Sequence, residues 1–300
     1  MIKSVTVTNH LGESRLFVLA KPDLVNITNM EGIGSGTATI NTTKLATRDG
    51  SKLNSTTANE RNIVLTLKLM FAPTVEDSRL ATYKYFPRKQ RVKLLIETDR
   101  RLAYSYGYVE SNEPNIFSKE EETQISIICP DPNFYSEDDQ VTIFYGVEPL
   151  FEFIFSNESL TDPLLIMGEI HRYTEQNVYY EGDSEVGVLI WMHAIGDVRG
   201  TITIYNSGTR EQFVLNTATL TKESGDWMKP GDDIEICTEK GNHYVRLLRA
   251  GVYYNILNSV DRYSDWFQLS KGDNIFAFVC DEGNDNLHFR IENKIAYEGM

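Results

Sequence analysis

The stretch NIVLTLKLMF, Asn62–Phe71, alternates: Ile63, Leu65, Leu67, Leu69 and Phe71 fall on one side of an extended chain, with Asn62, Thr66 and Lys68 on the other. Successive side chains of an extended backbone point to opposite sides, so a period of two marks a strand with one buried and one wet face. The same alternation runs outward through RVKLLIET (Arg91–Thr98), LAYSYGYVES (Leu102–Ser111), TQISIIC (Thr123–Cys129) and QVTIFYG (Gln140–Gly146). It returns in VGVLIWMH, GTITIYN, DDIEICTE, NIFAFVC and LHFRIEN, with turn sequences such as Glu239-Lys240-Gly241-Asn242 and DEGNDN between them. The expected fold class is mainly β.

One segment departs from this period. In PTVEDSRLATYKYFPRK, Thr74 and Asp77 have capping-box spacing, and the acidic Glu76 and Asp77 suit a helix N-terminus. Leu80, Tyr83 and Phe86 recur on one helical face until Pro87, which predicts a single short helix over roughly residues 75–86. A second departure is ISIICPDPNFY, Ile125–Tyr135. Pro130 and Pro132 withhold two backbone donors, so the strand ends near Cys129, and Cys129 and Asp131 are pushed toward extended conformations. Phe134 and Tyr135 follow at once. Two readings stand open on the residues alone: a stiff domain junction with the aromatics in its seam, or an ordinary strand-ending turn inside one domain.

At 300 residues the chain has room for about two domains of the usual ~100–200 residues. No segment approaches the ~20 uninterrupted apolar residues of a membrane helix, and MIKSVTVTNH alternates where a signal peptide would be apolar. The expectation is therefore no membrane insertion and synthesis in the cytoplasm. Cys129, Cys237 and Cys280 are far apart and form no metal-ligand spacing, so they read as buried thiols. A net charge of −14 argues against gripping nucleic-acid phosphates, and no sequence-specific nucleic-acid binding is expected.

The search for catalysis is negative. The five histidines are dispersed, and none stands in a metalloprotease or nucleophile motif. GIGSG (Gly32–Gly36) superficially resembles a phosphate loop, but TATINTT follows it as a strand pattern where a helix N-terminus is required, so a turn or bulge is expected. No enzyme, metal or cofactor is expected. Arg79, Lys84, Arg88, Lys89, Arg91, Lys93, Arg100 and Arg101 cluster against only Glu97 and Asp99. Such a strip reads as a solvated strand face, as a contact for an acidic surface on another copy or partner, or, in third place, as a nucleic-acid contact.

The succession RNIVLTLKLMF, then YKYFPRKQRVKLLIETDRRLAYSYGYVES, then PNIFSKEEETQISIICPDPNFY resembles the N-terminal domain of the distal tail proteins of long-tailed phages. The matching pieces are the Arg61 strand, Tyr85-Phe86-Pro87, Gly107-Tyr108-Val109-Glu110, Ile116-Phe117-Ser118-Lys119 and Cys129-Pro130-Asp131-Pro132. More loosely, GDDIEICTEKGNHYVRLL and SDWFQLSKGDNIFAF resemble the C-terminal β-sandwich of the same family.

The resemblance implies a β-sandwich-like ring domain with one short helix over residues 1–132 and a sandwich similar to galectins and carbohydrate-binding modules over 133–300. It implies a structural protein of the virion tail tip: a homo-hexamer ringed around a DNA conduit. Its partners would be the major tail tube protein, the tail-associated tip protein and a receptor-binding protein. Tyr85, Phe86, Pro87, Arg88 and Arg91 become candidates for ring or tube contact. Cys129, Pro130, Asp131, Pro132, Phe134 and Tyr135 become candidates for the domain junction. The competing expectation is a carbohydrate-binding adhesion module that touches the host surface. Galectin-type recognition uses a His-x-Asn-x-Arg run and a stacking Trp; HFRIEN (His288–Asn293) lacks that order, and Trp266 lies in the SDWF segment that the tail-protein pattern explains as structural.

Overall fold

The computed structural model describes residues 2–18, 25–45, 49–70, 74–118, 121–148, 169–172, 175–220 and 227–300; Phe71 and Lys119 lie outside them. They divide into two compact units, Met1–Asp138 with Ala296–Met300, and Asp139–Ile295.

The first unit comprises β1 (Ile2–Thr8), β2 (Ser14–Val18), β3 (Val25–Glu31), β4 (Ala38–Lys44), β5 (Ser51–Ala58), β6 (Arg61–Leu69), α1 (Val75–Tyr85), β7 (Arg91–Thr98), β8 (Leu102–Pro114), β9 (Glu122–Cys129) and β10 (Phe134–Ser136). One sheet runs β2-β1-β7-β8-β9-β6-β3, with β10 added beside β8. Its two end strands, β2 and β3, approach each other, so the sheet curls around a single core. Ile63, Leu65 and Leu67 oppose Ile127, Ile125 and Thr123 in register, and all six are fully buried. Over Ile63–Leu69 the alternation read from the sequence is therefore the inward phase of a strand paired on both sides. Gly107 sits where β8 crosses this layer: an added Cβ would lie 2.5 Å from Ile127 Cγ2 and 2.8 Å from Cys129 Sγ.

The second unit comprises β11 (Gln140–Ile143), β12 (Tyr145–Glu148), β13 (Glu169–Arg172), β14 (Glu175–Tyr180), β15 (Val186–Gly187), β16 (Leu189–Ala194), β17 (Arg199–Asn206), β18 (Glu211–Asn216), β19 (Asp233–Cys237), β20 (Tyr244–Arg249), β21 (Val252–Asn255), β22 (Gln268–Leu269), β23 (Gly272–Glu282) and β24 (Leu287–Asn293). A six-stranded sheet, β11-β24-β16-β19-β20-β21, and a four-stranded sheet, β14-β23-β17-β18, supply its two layers. Phe278 of β23 stacks on Phe289 of β24 with ring centroids 4.9 Å apart, so the layers face each other across one core. That is a β-sandwich, as the resemblance implies.

The last strand, β25 (Ala296–Tyr297), pairs with β10 in the first unit. The chain thus crosses between units twice, at 138–139 and at 295–296, where the sequence suggests one crossing after Pro132. The reason is pairing: Tyr135 and Ser136 bond alongside Tyr104 and Ala103 of β8, while Phe134 and Tyr135 take Tyr297 and Ala296 on the other side. Residues 134–136 thereby belong to the first sheet, the first unit runs on to Asp138, and the second unit is an insertion between two adjacent strands.

Candidate functional site

Helix α1 begins where the sequence places it. Thr74 Oγ1 accepts the Asp77 backbone N–H at 3.1 Å, and the Phe86 N–H closes the last turn on the Thr82 carbonyl at 2.8 Å. Its orientation differs from the expected apolar face. Ser78 and Thr82 are the buried residues of the helix, and the Ser78 hydroxyl donates to the Met70 carbonyl at 2.6 Å. Leu80 and Tyr83 point outward, 53% and 41% exposed. Periodicity located the helix, but short hydroxyls that satisfy their own donors decide which side faces in.

The ring-contact candidates separate in the same way. Phe86 is buried against Phe17, with centroids 6.0 Å apart, so it anchors the helix end. Tyr85 packs at the core margin, with the cations of Arg15 and Lys84 5.5 and 5.6 Å from its ring. Pro87 is half-buried and Arg88 exposed. Arg91 is exposed and its guanidinium lies 3.8 Å from the Tyr106 centroid. Lys93 sits 4.4 Å over Tyr104 and pairs with Glu137 at 2.9 Å. The outer face of β7 and β8 is thus a ladder of cations against Tyr104, Tyr106 and Tyr108, with Tyr106 and Tyr108 left 40% and 47% exposed. Of the basic strip, Arg79 pairs with Glu76 at 3.5 Å, Lys84 with Glu13 at 2.8 Å, and Arg101 donates to the Gly299 carbonyl at 2.6 Å.

The CPDPNFY segment is held by a residue that sequence reading noted only as part of a strand. Arg61 is 5% exposed. Its Nε donates to the Pro132 carbonyl at 2.7 Å, Nη1 to the carbonyls of Gly32 (2.7 Å) and Gly34, and Nη2 to the Glu298 carbonyl at 2.6 Å. Its guanidinium carbon lies 4.6 Å from the ring centroid of Phe134, which is fully buried. Burial lowers the Arg61 pKa, and four carbonyl dipoles take the place of a carboxylate partner. The GIGSG turn therefore presents oxygens to a cation, the opposite of an anion cradle. Gly32, at φ +82°, is required there because a Cβ would meet the Asn62 carbonyl oxygen. Cys129 is buried beneath Gly107; Pro130 and Asp131 are exposed; Pro132 and Tyr135 are half-buried, and the Tyr135 hydroxyl donates to Asp131 at 2.6 Å.

Two further surfaces stand out. Strands β4 and β5 form a separate two-stranded sheet in which every strand residue is exposed, Ile40 to 64% and Leu53 to 57%. On the outer face of the six-stranded sheet, Glu235 is 3% exposed and accepts from Tyr244 Oη at 2.6 Å and from Arg246 Nε and Nη2 at 2.6 and 2.8 Å. Desolvation raises the Tyr244 pKa, and its bond to Glu235 raises it further. Among the described residues no group of three His, Cys, Asp or Glu is placed to hold a metal, and no helix is long and apolar enough to cross a membrane.

No family model and no curated protein sequence matches the chain. Solved structures share its fold. The Dit protein of phage SPP1, described as a paradigm of the hub adsorption apparatus in phages that infect Gram-positive bacteria, is 12% identical, with a TM-score of 0.66 over 98% of this chain and 100% of that one. The phage P2 baseplate in its activated conformation with Ca is 12% identical, with a TM-score of 0.50 over 98% of each chain. Its counterpart with Sr is 11% identical, with a TM-score of 0.50 over 97% of each chain. The fold expected from the resemblance is thus the fold observed, a Dit-like pairing of two β units.

Proposed function

We propose that this protein is a structural hub at the distal end of a phage tail. In this reading six first units close into a ring around a channel for DNA, below the tail tube protein, and carry a tail-tip protein and a receptor-binding protein. The single observation that supports it best is that the likeness to the SPP1 hub protein covers both units from end to end, 98% of this chain and 100% of that one. A shared single sandwich would carry far less.

The surfaces fit such an assembly. A two-stranded hairpin is marginally stable in water on its own, so the wholly exposed β4–β5 pair gains from packing on a second body. The ladder formed by Arg91 and the exposed tyrosines suits an acidic neighbour, and the chain's charge of −14 supplies acidic surface on every copy. An acidic lining would also let DNA pass without being retained. The reading is non-enzymatic: it needs no substrate or cofactor.

The test is the mass of the purified chain by light scattering over a concentration series, repeated with tube protein added, with negative-stain imaging of any large species. A six-fold ring with a central hole is expected. A monomer at every concentration, with and without tube protein, would overturn the ring.

A further inference from the structure

The turn between β8 and β9 carries the most exposed large apolar side chain among the described residues: Phe117 is 101% exposed, beside Ile116 at 49%. The turn is anchored. Asn115 N–H donates to the Glu122 carbonyl at 2.8 Å and Leu69 N–H to the Glu121 carbonyl at 2.9 Å, which ties it to β9 and β6. A cavity of about 530 Å³ opens at its base, lined by Thr66, Glu113, Asn115, Ser118, Glu122 and Gln124. Neither Glu113 nor Glu122 is ion-paired among the described residues. A fully exposed phenyl ring on an anchored turn gains by burial against a second surface, and unpaired carboxylates beside it select a cationic one.

The first unit carries such a surface elsewhere. Arg88, Lys89 and Arg91 are exposed next to Tyr106 and Tyr108: Lys89 N–H donates to the Val109 carbonyl at 2.8 Å, and Arg91 opposes Tyr108 in register. Arg88 and Lys89 have no carboxylate partner among the described residues. Tyrosine rings and a guanidinium plane receive an aromatic side chain well, and the two free cations answer the two carboxylates. The turn cannot reach this surface on its own chain. Tyr108 and Pro114 belong to the same strand, β8, which is fixed between β7 and β9. Six residues of strand at ~3.3 Å each hold them about 20 Å apart.

We propose that the β8–β9 turn of one copy docks on the Arg88–Arg91 segment and the β8 tyrosines of the next copy. Phe117 packs against Tyr106, Tyr108 and the Arg91 guanidinium, while Glu113 and Glu122 face Arg88 and Lys89. The two surfaces differ, so the contact is head-to-tail: each copy gives one turn and receives another, and such contacts propagate until they close. The inference rests on the assembly reading and adds which surfaces of the chain meet.

The experiment places benzoylphenylalanine at position 117 and irradiates the concentrated chain, alone and with tube protein. Mass spectrometry of isotope-mixed copies separates crosslinks between chains from those within one. Crosslinks from one copy to peptides containing Arg88–Arg91 or Tyr106–Tyr108 of another are expected. Two variants test direction: Phe117→Ser with Glu113→Gln disables the turn, and Arg88→Glu with Arg91→Glu disables the receiving face. Each alone should raise the concentration for half-assembly tenfold or more. Their equimolar mixture retains one intact contact and should form dimers that grow no further, with circular dichroism certifying each fold. Crosslinks to tube protein only, no crosslink between copies, or assembly indifferent to both variants would each overturn the contact. Rings that form without it leave the hub reading standing, whereas a chain that never assembles loses both.

Discussion

Arg61 and Glu298 stand 237 positions apart, yet Arg61 Nη2 donates to the Glu298 carbonyl at 2.6 Å. The same guanidinium holds the carbonyls of Gly32, Gly34 and Pro132, so one buried cation joins the glycine turn, the proline exit and the returning tail of the first unit.

Arg61→Met should leave those oxygens without their donor, at a penalty of about 3 kcal/mol or more, since each buried unsatisfied polar group costs about 1–3 kcal/mol. Arg61→Lys should recover only part of this, because an ammonium lacks the planar fork that reaches all four. Calorimetry should show the loss in one transition only, that of the first unit; equal melting of wild type and Arg61→Met would refute the role.

A chain ending at Ile295 loses β25, the Glu298 acceptor, the Arg101–Gly299 bond and the Met300 N–H bond to the Ile33 carbonyl. The first unit should lose about 2–4 kcal/mol, from several bonds each worth roughly 0.5–1.5 kcal/mol net plus the strand edge exposed. Combined with Arg61→Met the effects should fall short of additive, as both remove the same contact. Full additivity in a double-mutant cycle would show that the two act separately.

Gly107→Ala should destabilise by about 1–3 kcal/mol through overpacking against Ile127 and Cys129. Adding Cys129→Ala opens part of that space and should return some of the loss. Denaturant midpoints measure both, and a neutral Gly107→Ala would contradict the close approach.

Burial raises the thiol pKa of Cys129, Cys237 and Cys280 above the ordinary value of 9.0. A group whose folded pKa is raised favours its protonated form when folded. Its contribution to stability is complete below pH ~9 and declines as pH climbs through and beyond that value. Melting temperature should therefore be flat near neutrality and fall above pH ~9, and Tyr244, raised by burial and by Glu235, should steepen the fall in the second unit. Alkylation at pH 8 should label all three thiols only after denaturation. Rapid labelling of the native chain would disprove their burial.

Arg91→Glu and Leu80→Glu should abolish any large assembly while changing stability by no more than about 1 kcal/mol, because both side chains are exposed and only Arg91 gives up a ring contact, with Tyr106. Sedimentation velocity separates the cases: assembly unaffected by both variants would place the contact elsewhere.

The strands and the capped helix were legible because their signals are local. Alternation in Asn62–Phe71 and the Thr74–Asp77 spacing depend on neighbours a few residues away. The inward side of α1 was not legible. Leu80 and Tyr83 look like a core stripe, and only the bonds of Ser78 and Thr82 reveal the reverse. Arg61 carried a signal that could have been used: it stands in phase with Ile63, Leu65 and Leu67, so the alternation itself points it inward.

By itself the sequence determined a mainly β chain with one short helix and a strand stopped by Pro130 and Pro132, since backbone geometry and proline chemistry act within a few residues. The tertiary structure alone decided that residues 296–297 return to pair with β10, that four distant carbonyls converge on Arg61, and that His193 and His288, dispersed in the chain, share one cleft. Those outcomes rest on strand register between segments far apart in sequence, and a shift of one residue would turn each of these side chains to the opposite face.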